Sequence, residues 1–372
     1  MTKPSVIFNS EHLRAFGMGM KSLITTFAIA FGTGLLCQKI GLPAPFLLGS
    51  LFGVWCLGGG ITPLQDTLGV PRWFHVPVVL GLGTLIGGNF RPDIMMHMDS
   101  WASTVSAMFG ATILATLAGL YYLIRIRKYD FTLALLSCIP GGQAEVIMIS
   151  RDLVDKDYVV ALFHLVRVAL VFCLTPLILA VMQGHEAVQA SNAALHAMPS
   201  MMNLPLKTLL IFGAISIISL PIARLLKLPM PHLIGPLLIS SALHILGLVE
   251  IPRISEFVIL AQLTIGGAVG ARLAKVPVFE LATYLRDAIV NAVIVLSTYG
   301  FTAWALASWT SIEFMKLLLA FIPGGLYEVT LLALIFGFDI AFVAFHHTVR
   351  VMLVFMGLPM IIAKTRPKPE TN

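Results

Sequence analysis

The segment Ile-Pro-Gly-Gly-Gln-Ala-Glu-Val at residues 139–146 recurs as Ile-Pro-Gly-Gly-Leu-Tyr-Glu-Val at residues 322–329, a shift of 183 positions (322 − 139). The same shift carries a His-x-x-Arg motif at residues 164–167 onto another at residues 347–350. Proline removes a backbone hydrogen-bond donor, and paired glycines weaken a helix. Each half of the chain is therefore predicted to contain a helix that is broken at its Pro-Gly-Gly segment.

Duplication extends beyond these motifs. Leu-Pro-Ala-Pro-Phe-Leu-Leu-Gly at residues 42–49 is similar to Leu-Pro-Met-Pro-His-Leu-Ile-Gly at residues 228–235. A regular spacing between similar segments indicates an internal repeat. The predicted organisation is an N-terminal cytoplasmic segment (1–20), membrane repeat 1 (21–182), a linker (183–205), membrane repeat 2 (206–363) and a C-terminal cytoplasmic tail (364–372).

The composition is typical of a protein that lies in a lipid bilayer. Of the 372 residues, 58% are hydrophobic and 11% are charged, whereas soluble proteins carry roughly 25% charged residues. The length suffices for about 10–12 transmembrane segments of roughly 20 residues each. The predicted fold class is therefore an all-α polytopic membrane protein with two homologous halves.

The distribution of basic residues bears on the orientation of the two halves. Short basic clusters begin at Arg125, Arg224, Arg272 and Lys364, and such clusters favour the cytoplasmic side. If the Pro-Gly-Gly segments enter the membrane and return, each half keeps five crossings, and all four clusters and both termini become cytoplasmic. This arrangement predicts inverted repeats. If each segment is a Pro-kinked spanning helix instead, the repeats are parallel and two clusters lie outside.

Two carboxylates follow the predicted breaks at equivalent positions. Glu145 and Glu328 are related by the repeat (328 − 145 = 183). Ionisable groups are costly in a bilayer and usually face a cavity or a partner. Each glutamate is therefore a candidate proton carrier or cation ligand. The structural alternative is an ion pair with Arg167 or Arg350.

The His-x-x-Arg motifs place an imidazole and a guanidinium on one helix face in each half. Arginine is a permanent cation whose planar fork suits carboxylates, and helix N-termini after the paired glycines would add donors for an anion. These features predict a midplane site for a small solute, with a preference for an anion. The structural alternative is an arginine that snorkels to the surface or pairs with glutamate. The predicted substrate-binding residues are Gly141, Gly142, Glu145, His164, Arg167, Gly324, Gly325, Glu328, His347 and Arg350.

The sequence offers little support for enzyme chemistry. Its four cysteines have no Cys-x-x-Cys spacing, no Gly-x-Ser-x-Gly motif occurs, and no helix-spaced pair of histidines suggests a metal. The glycines within 83–88 and 266–270 indicate close helix packing rather than phosphate binding. No segment is large enough for a DNA-reading domain. We therefore expect no enzyme activity, no catalytic residues, no cofactor or metal, and no direct binding to nucleic acid.

The two Pro-Gly-Gly motifs and the duplicated hydrophobic modules resemble those of the AbrB family of bacterial inner-membrane proteins, from about Leu23 to Ile362. The resemblance implies a multi-pass protein of the bacterial inner membrane. Members of the family are described as proposed regulators of gene expression or as proposed ammonia monooxygenases. Without a DNA-reading domain, a regulatory effect would be indirect, and the sequence lacks a metal constellation for a monooxygenase.

Several functions remain open at this level. The favoured hypothesis is secondary transport of a small solute, with proton coupling as an option, through a site between the two repeats. The alternative is a membrane sensor or regulatory protein whose polar cluster binds a signal, and a membrane monooxygenase is less favoured. The expected partners are the lipid bilayer and a small-molecule solute, and a homo-oligomer is compatible with each hypothesis.

Overall fold

The computed structural model describes the backbone of residues 10–92, 98–141 and 143–365. It describes the side chains of these ranges except for residues 10–13, 98–100, 143–145 and 359–365. Two elements of the predicted site, Gly142 and the side chain of Glu145, therefore lie outside the described residues. The regular structure of the described residues is helical and includes no strand.

The helices follow one another along the chain with short connections. They are α1 (Ser10–Lys39), α2 (Pro45–Gly60), α3 (Thr62–Gln65), α4 (Arg72–Gly87), α5 (Met98–Tyr121), α6 (Phe131–Cys138), α7 (Gln143–Ser150), α8 (Asp157–Ala197), α9 (Leu206–Leu225), α10 (Pro231–Ile245), α11 (Ser255–Ala274), α12 (Ala282–Trp309), α13 (Phe314–Phe321), α14 (Leu326–Phe336) and α15 (Ile340–Thr365). A π-helical turn, Tyr122–Ile126, continues α5.

Seven helices in the described part of the chain are long and apolar enough to cross a membrane, namely α1, α5, α8, α9, α11, α12 and α15. Shorter apolar helices, α2, α4, α10 and α14, accompany them. The prediction of an all-α polytopic membrane protein is confirmed.

The predicted helix breaks are present in both repeats. α6 ends at Cys138 and α7 begins at Gln143, and α13 ends at Phe321 and α14 begins at Leu326. α6 has 8 residues, so it is about 12 Å long, less than half of the roughly 30 Å hydrocarbon core. Gly141, between α6 and α7, has a φ of 98°, which glycine adopts readily. A continuous helix is therefore not formed at either place.

The equivalent helices α5 and α12 run antiparallel. Thr112 of α5 lies against Tyr299 of α12, with 2.8 Å between the two hydroxyl oxygens. Tyr122, ten positions further along the first chain segment, lies against Asp287, with 3.4 Å between its hydroxyl and the carboxylate. The partner's number falls as the first number rises, so the second repeat runs opposite to the first at this pair. The inverted arrangement is confirmed for α5 and α12, and which side of the membrane holds the termini stays a prediction.

The structure differs from the predicted boundaries at the N-terminus and the linker. α1 begins at Ser10, within the segment 1–20 that we placed before the membrane. α8 continues beyond a break at Gly184 (φ 81°, ψ 172°) to Ala197, so most of the linker is helical. This extension is held by the hydroxyl of Ser191, which donates to the carbonyl of Ile335 at 2.8 Å. The polar composition of residues 183–205 did not indicate a helix, because only one narrow face of this helix is buried.

The chain divides into two compact units, which we describe separately: unit 1 is 1–78 with 259–276, and unit 2 is 79–258 with 277–372. In unit 1, α2 packs closely on α11. A Cβ added to Gly266 would lie 2.6 Å from the carbonyl oxygen of Leu47, and one added to Gly270 would lie 2.6 Å from that of Leu51. Such distances admit only glycine, so the predicted role of these glycines in helix packing is confirmed.

Unit 2 contains the equivalent helix pair, α10 on α4. A Cβ on Gly83 would lie 2.7 Å from the carbonyl oxygen of Leu233, and one on Gly87 would lie 2.6 Å from that of Leu237. Gly83 and Gly87 are the repeat equivalents of the two glycines in α11. Each pair therefore combines one helix from each repeat, and the duplication seen in the sequence is a duplication of helix packing.

Candidate solute-binding site

The predicted histidines and arginines all lie in unit 2 and are buried. α8 carries His164 (0% exposed) and Arg167 (4%), and α15 carries His347 (0%) and Arg350 (1%). Removing a guanidinium from water costs several kcal/mol unless hydrogen bonds compensate for it. The partners of the two arginines therefore decide what these residues do. Burial also excludes the alternative in which they snorkel to the surface.

In repeat 1, Arg167 closes the end of α6. Its Nη1 donates to the carbonyl oxygens of Cys138 (3.3 Å) and Ile139 (3.2 Å), and its Nη2 donates to Nδ1 of His164 (2.9 Å). Nε2 of His164 lies 3.0 Å from the carbonyl oxygen of Leu136. Because Nδ1 accepts and Nε2 donates, the imidazole is neutral and carries its proton on Nε2. The pair satisfies carbonyls that the helix end leaves without partners.

Repeat 2 builds the same arrangement at α13. Arg350 donates from Nη1 to the carbonyl oxygens of Phe321 (2.8 Å) and Ile322 (3.2 Å), and from Nη2 to Nδ1 of His347 (2.8 Å). Nε2 of His347 lies 2.9 Å from the carbonyl oxygen of Leu319. We call each His–Arg pair with its carbonyl partners a brace. The sequence did not predict this role, because both of its structural alternatives gave the arginine a different partner.

In each brace the Nε atom of the arginine has no partner in the described part of the chain. Nε of Arg167 and Nε of Arg350 are buried and have no hydrogen-bond partner among the described residues. An unpaired buried donor costs about 1–3 kcal/mol, more when it is charged. The guanidinium of Arg350 also forms a side-chain hydrogen bond with Tyr299, which has no counterpart at Arg167 within the described residues. The Nε–H of each arginine is thus available to an acceptor.

Each break lies against the helix that carries the brace of the opposite repeat. A Cβ added to Gly141 would lie 4.0 Å from Nε of Arg350 and 4.0 Å from Cγ2 of Val354. A Cβ added to Gly324 would lie 3.1 Å from Cγ1 of Val171, the repeat equivalent of Val354 (354 − 171 = 183). The structure therefore brings predicted site residues of both repeats together in one place.

Glu328 and Gly325 lie together at the start of α14. Gly325 precedes the helix, and Glu328 is in its first turn and 2% exposed. A Cβ on Gly325 would lie 2.7 Å from Oε1 of Glu328, so glycine leaves room for a carboxylate that folds back over the helix N-terminus. A negative charge is stabilised there by the helix dipole.

The structure adds polar residues of α12 that the sequence analysis missed. Tyr299 is fully buried, its hydroxyl donates to Thr112, and its ring centroid lies 6.0 Å from Cζ of Arg350. Asn291 is also buried, with Oδ1 3.6 Å from Sγ of Cys138. Their helical spacing from Asp287 was a readable signal. The duplicated motifs do not reveal it, because the equivalent positions hold different residues in repeat 1.

His346 breaks the symmetry of the repeats and received no role from the sequence. Its Nε2 lies 2.8 Å from Oγ1 of Thr104, and its Nδ1 lies 2.8 Å from the carbonyl oxygen of Phe342. It is therefore a buried structural histidine that joins α15 to α5. Among the described residues, no three His, Cys, Asp or Glu side chains group as metal ligands.

Fold and site together define a multi-pass α-helical membrane protein with a duplicated module and a braced helix break in each copy. The family model described as "Transition state regulatory protein AbrB" matches residues 56–366. The chain belongs to this AbrB family, as the paired motifs predicted.

Two relatives match nearly the whole chain at low identity. "Uncharacterized protein YhjN" of Bacillus subtilis (strain 168) is 24% identical over 348 residues, covering 89% of this chain and 90% of the relative. An Escherichia coli (strain K12) protein named as a proposed regulator, AbrB, is 24% identical over 340 residues, covering 91% of this chain and 94% of the relative. No solved structure matches the chain.

Proposed function

We propose that the protein is a secondary transporter of a small hydrophilic solute, with a preference for an anion, and that the solute binds between the two braces. The observation that carries this proposal is the pair of buried arginines at equivalent positions, each with an unused Nε donor. A purely structural brace would need only the Nη donors. A negatively charged ligand would offset two buried charges that carbonyls and neutral imidazoles compensate only in part.

The surroundings of the arginines support this proposal. The planar guanidinium fork is suited to carboxylate and phosphate groups. The N-terminus of α14, which follows Gly325 across the break from the carbonyls that Arg350 contacts, has backbone donors of the kind that bind anions. Inverted repeats with discontinuous helices near the midplane are a recurring design of secondary transporters. In this proposal Glu328 and Glu145 are the groups that carry a coupled proton.

The decisive experiment is counterflow in proteoliposomes with a panel of small organic and inorganic acids. We expect wild-type protein to exchange at least one of them, and Arg350→Lys, which keeps the charge but loses Nε and the fork, to lose most of that exchange. Arg224→Gln, which changes an exposed arginine of α9, is the control and should exchange normally. If wild-type protein exchanges no solute in the panel, the transport proposal fails.

The second candidate is a membrane sensor or regulatory protein that affects gene expression indirectly. It is favoured by one observation, the proposed regulatory role in the name of the Escherichia coli relative. A sensor would bind a small acid, with a rise in melting temperature, and exchange none. Binding without exchange would therefore select this function over transport.

The location that fits both candidates is a bacterial inner membrane with cytoplasmic termini. Single cysteines placed at Glu186 and Lys227 test the orientation with an impermeant thiol reagent. The inverted map expects Lys227 to be labelled from the cytoplasmic side and Glu186 from the other side. Labelling of both from one side would contradict the map.

A further inference from the structure

A second polar region lies in unit 2, at the end of α12 where Asp287 is located. A cavity of about 760 Å³ opens there between the π-helical end of α5, the connection from α7 to α8, and the start of α12. Its charged lining is mixed, with the bases Arg127, Lys128 and Lys156 and the acids Asp130, Asp155, Glu280 and Asp287. A cavity of this size is within the range of small-molecule sites.

The floor of the cavity is an ion pair between a partly exposed arginine and a buried aspartate. The side chain of Asp287 is 1% exposed, and its Oδ2 lies 2.8 Å from Nε of Arg127, whose side chain is 28% exposed. The hydroxyls of Tyr129 (3.1 Å) and Tyr122 (3.4 Å) donate to the same carboxylate. Arg127 thus reaches into the cavity while Asp287 lies beneath it. The π-helical turn that presents Arg127 is a rare element, frequently found at functional sites.

A line of buried residues on α12 connects this floor with the braces. Asn291 follows Asp287 by one turn, about 6 Å along the axis, and contacts the side chain of Cys138. The carbonyl of Cys138 accepts from Arg167 of the first brace. Tyr299, about 18 Å from Asp287 along α12, lies beside the second brace. The distance corresponds to about half the thickness of a hydrocarbon core.

Small side chains accompany the polar residues on this face. Ala288 and Ala292, next to Asp287 and Asn291, are each 1% exposed and are buried on the same side of α12. Side chains fill the face in this structure, so a solute could pass only if they move. The partly exposed Arg127 is the group on this route with the most freedom to move.

We propose that the cavity is the vestibule through which a small hydrophilic anion reaches the braces, and that the Arg127–Asp287 pair controls its passage. The proposal rests on the proposed transport function. Because the cavity lining as a whole has no excess of bases, the attraction for an anion lies at the floor, where the partly exposed Arg127 exchanges Asp287 for it. Asp287 keeps its two tyrosine hydroxyls and Arg286, whose Nη2 lies 3.3 Å away. The anion then follows Asn291 to Arg167.

Cys138 is a natural reporter for this route, because it is buried beside Asn291. The test uses the full chain with C37S, C56S and C173S, in inside-out membrane vesicles, since the basic residues predict a cytoplasmic mouth. The sulfonatoethyl and trimethylammonioethyl methanethiosulfonates serve as anionic and cationic probes of similar size. The rate of Cys138 modification is measured for each.

The two floor variants should change probe selectivity in opposite directions. Asp287→Asn leaves Arg127 without its carboxylate and should favour the anionic probe, whereas Arg127→Gln leaves Asp287 with only the largely exposed Arg286 as a counterion and should favour the cationic probe. We expect the ratio of the two rates to differ by about tenfold between the variants, since a partly exposed charge acts on a nearby ion with roughly that strength. Arg125→Gln, an exposed arginine of the same π-helical turn, should leave the ratio unchanged.

Misfolding does not imitate this result, because a loosened structure would admit both probes faster without inverting their ratio. Equal acceleration of both probes, or an unreactive Cys138 in both variants, overturns the vestibule. Counterflow separates the two proposals. If a solute is exchanged but Cys138 does not react with either probe, the transport proposal is retained and the proposed route is rejected. Charge-dependent modification without exchange of any acid supports the route and removes transport.

Discussion

The two ends of the α5–α12 pair are equivalent in the repeat but differ in chemistry. At one end Asp287 forms an ion pair with Arg127 under a cavity. At the other end its equivalent, Thr104 (287 − 104 = 183), forms a neutral hydrogen bond with His346. Thr104 and Tyr122, which contacts Asp287, are about 27 Å apart along the helix axis, close to a bilayer core. One end is held by charge and the other by neutral groups.

The aromatic residues follow the same division. Tyr284, at the Asp287 end, borders the cavity and packs edge-on against Tyr129 with 6.1 Å between ring centroids. Its equivalent Trp101 (284 − 101 = 183) is buried and packs edge-on against Phe342 at 5.5 Å. Between these ends the two braces are nearly superposable in their hydrogen bonds. The hydrogen bonds of the braces are thus alike in the two repeats, whereas the residues at the two ends of the α5–α12 pair differ.

The largest loss of stability is expected at the two braces, which are alike in the two repeats. Arg167→Gln and Arg350→Gln each leave an imidazole and two buried carbonyls without donors, so each should destabilise the protein by about 3–5 kcal/mol. Thermal unfolding of the two variants in the same detergent measures the effect. Because the braces are alike, the two shifts in melting temperature should be similar. A near-normal melting temperature for either variant would show that its brace is not structural.

The second-largest loss of stability is expected at the aromatic end of the α5–α12 pair, where Trp101 packs against Phe342. Trp101→Ala deletes a large buried side chain and leaves a cavity, and we expect a loss of about 3 kcal/mol. Trp309→Ala changes a tryptophan that is 90% exposed and serves as the matched control, with little effect on thermal unfolding. Equal effects from the two variants would mean that Trp101 does not close its end of the pair.

A smaller loss of stability is expected when the Arg127–Asp287 ion pair at the charged end is broken. Asp287→Asn keeps a group that the tyrosine hydroxyls can contact, and the partly exposed Arg127 recovers some hydration, so we expect a loss of about 1–2 kcal/mol. Glu280→Gln, an exposed carboxylate of the cavity lining, should change stability by less. A loss as large as that of Trp101→Ala would contradict the expectation that the Asp287 end of the α5–α12 pair is held less strongly than the Trp101 end.

The smallest effect is expected at the neutral hydrogen bond. Thr104→Val removes the hydroxyl that lies against His346 while keeping the shape of the side chain, and should cost about 1 kcal/mol. Ser106→Ala, in which an exposed hydroxyl bonds only within its own helix, is the control. Asp287→Asn and Thr104→Val change equivalent positions, so their difference in melting temperature measures how far the two ends have diverged. A larger loss for the threonine would reverse the comparison.

Much of the frame could be predicted from the sequence because it depends on local chemistry. A proline followed directly by two glycines weakens a helix through its own backbone, and the break at Gly141 follows from that. The spacing of His164 and Arg167 places both on one helix face, and their side chains do meet at 2.9 Å. Glycines such as Gly87 indicated close packing, which the structure bears out. These inferences needed only the periodicity of a helix and the duplication of the motifs.

The candidate site could be predicted less completely from the sequence, because the partners of its side chains are backbone groups or residues that are not repeated. The carbonyls that accept from Arg167 are backbone groups at the end of α6, and the residue types in the sequence do not indicate which carbonyls lack a helical partner. Asp287 and Tyr299 carry the polar face of α12, yet their repeat equivalents are threonines, so a search by symmetry passed over them. The helical linker escaped for another reason, since a helix with one narrow buried face has no strong hydrophobic period.

By itself the sequence determined that the chain lies in a membrane, that its module is duplicated, and that each copy holds a helix break followed by a histidine and an arginine. These properties depend on composition and on spacing along the chain. Only the tertiary structure decided that the arginines brace the breaks and keep a free donor, and that one end of the helix pair is charged and the other aromatic. Hydrogen bonds and burial depend on which distant segments meet in space, and contacts of that kind are made only when the chain folds.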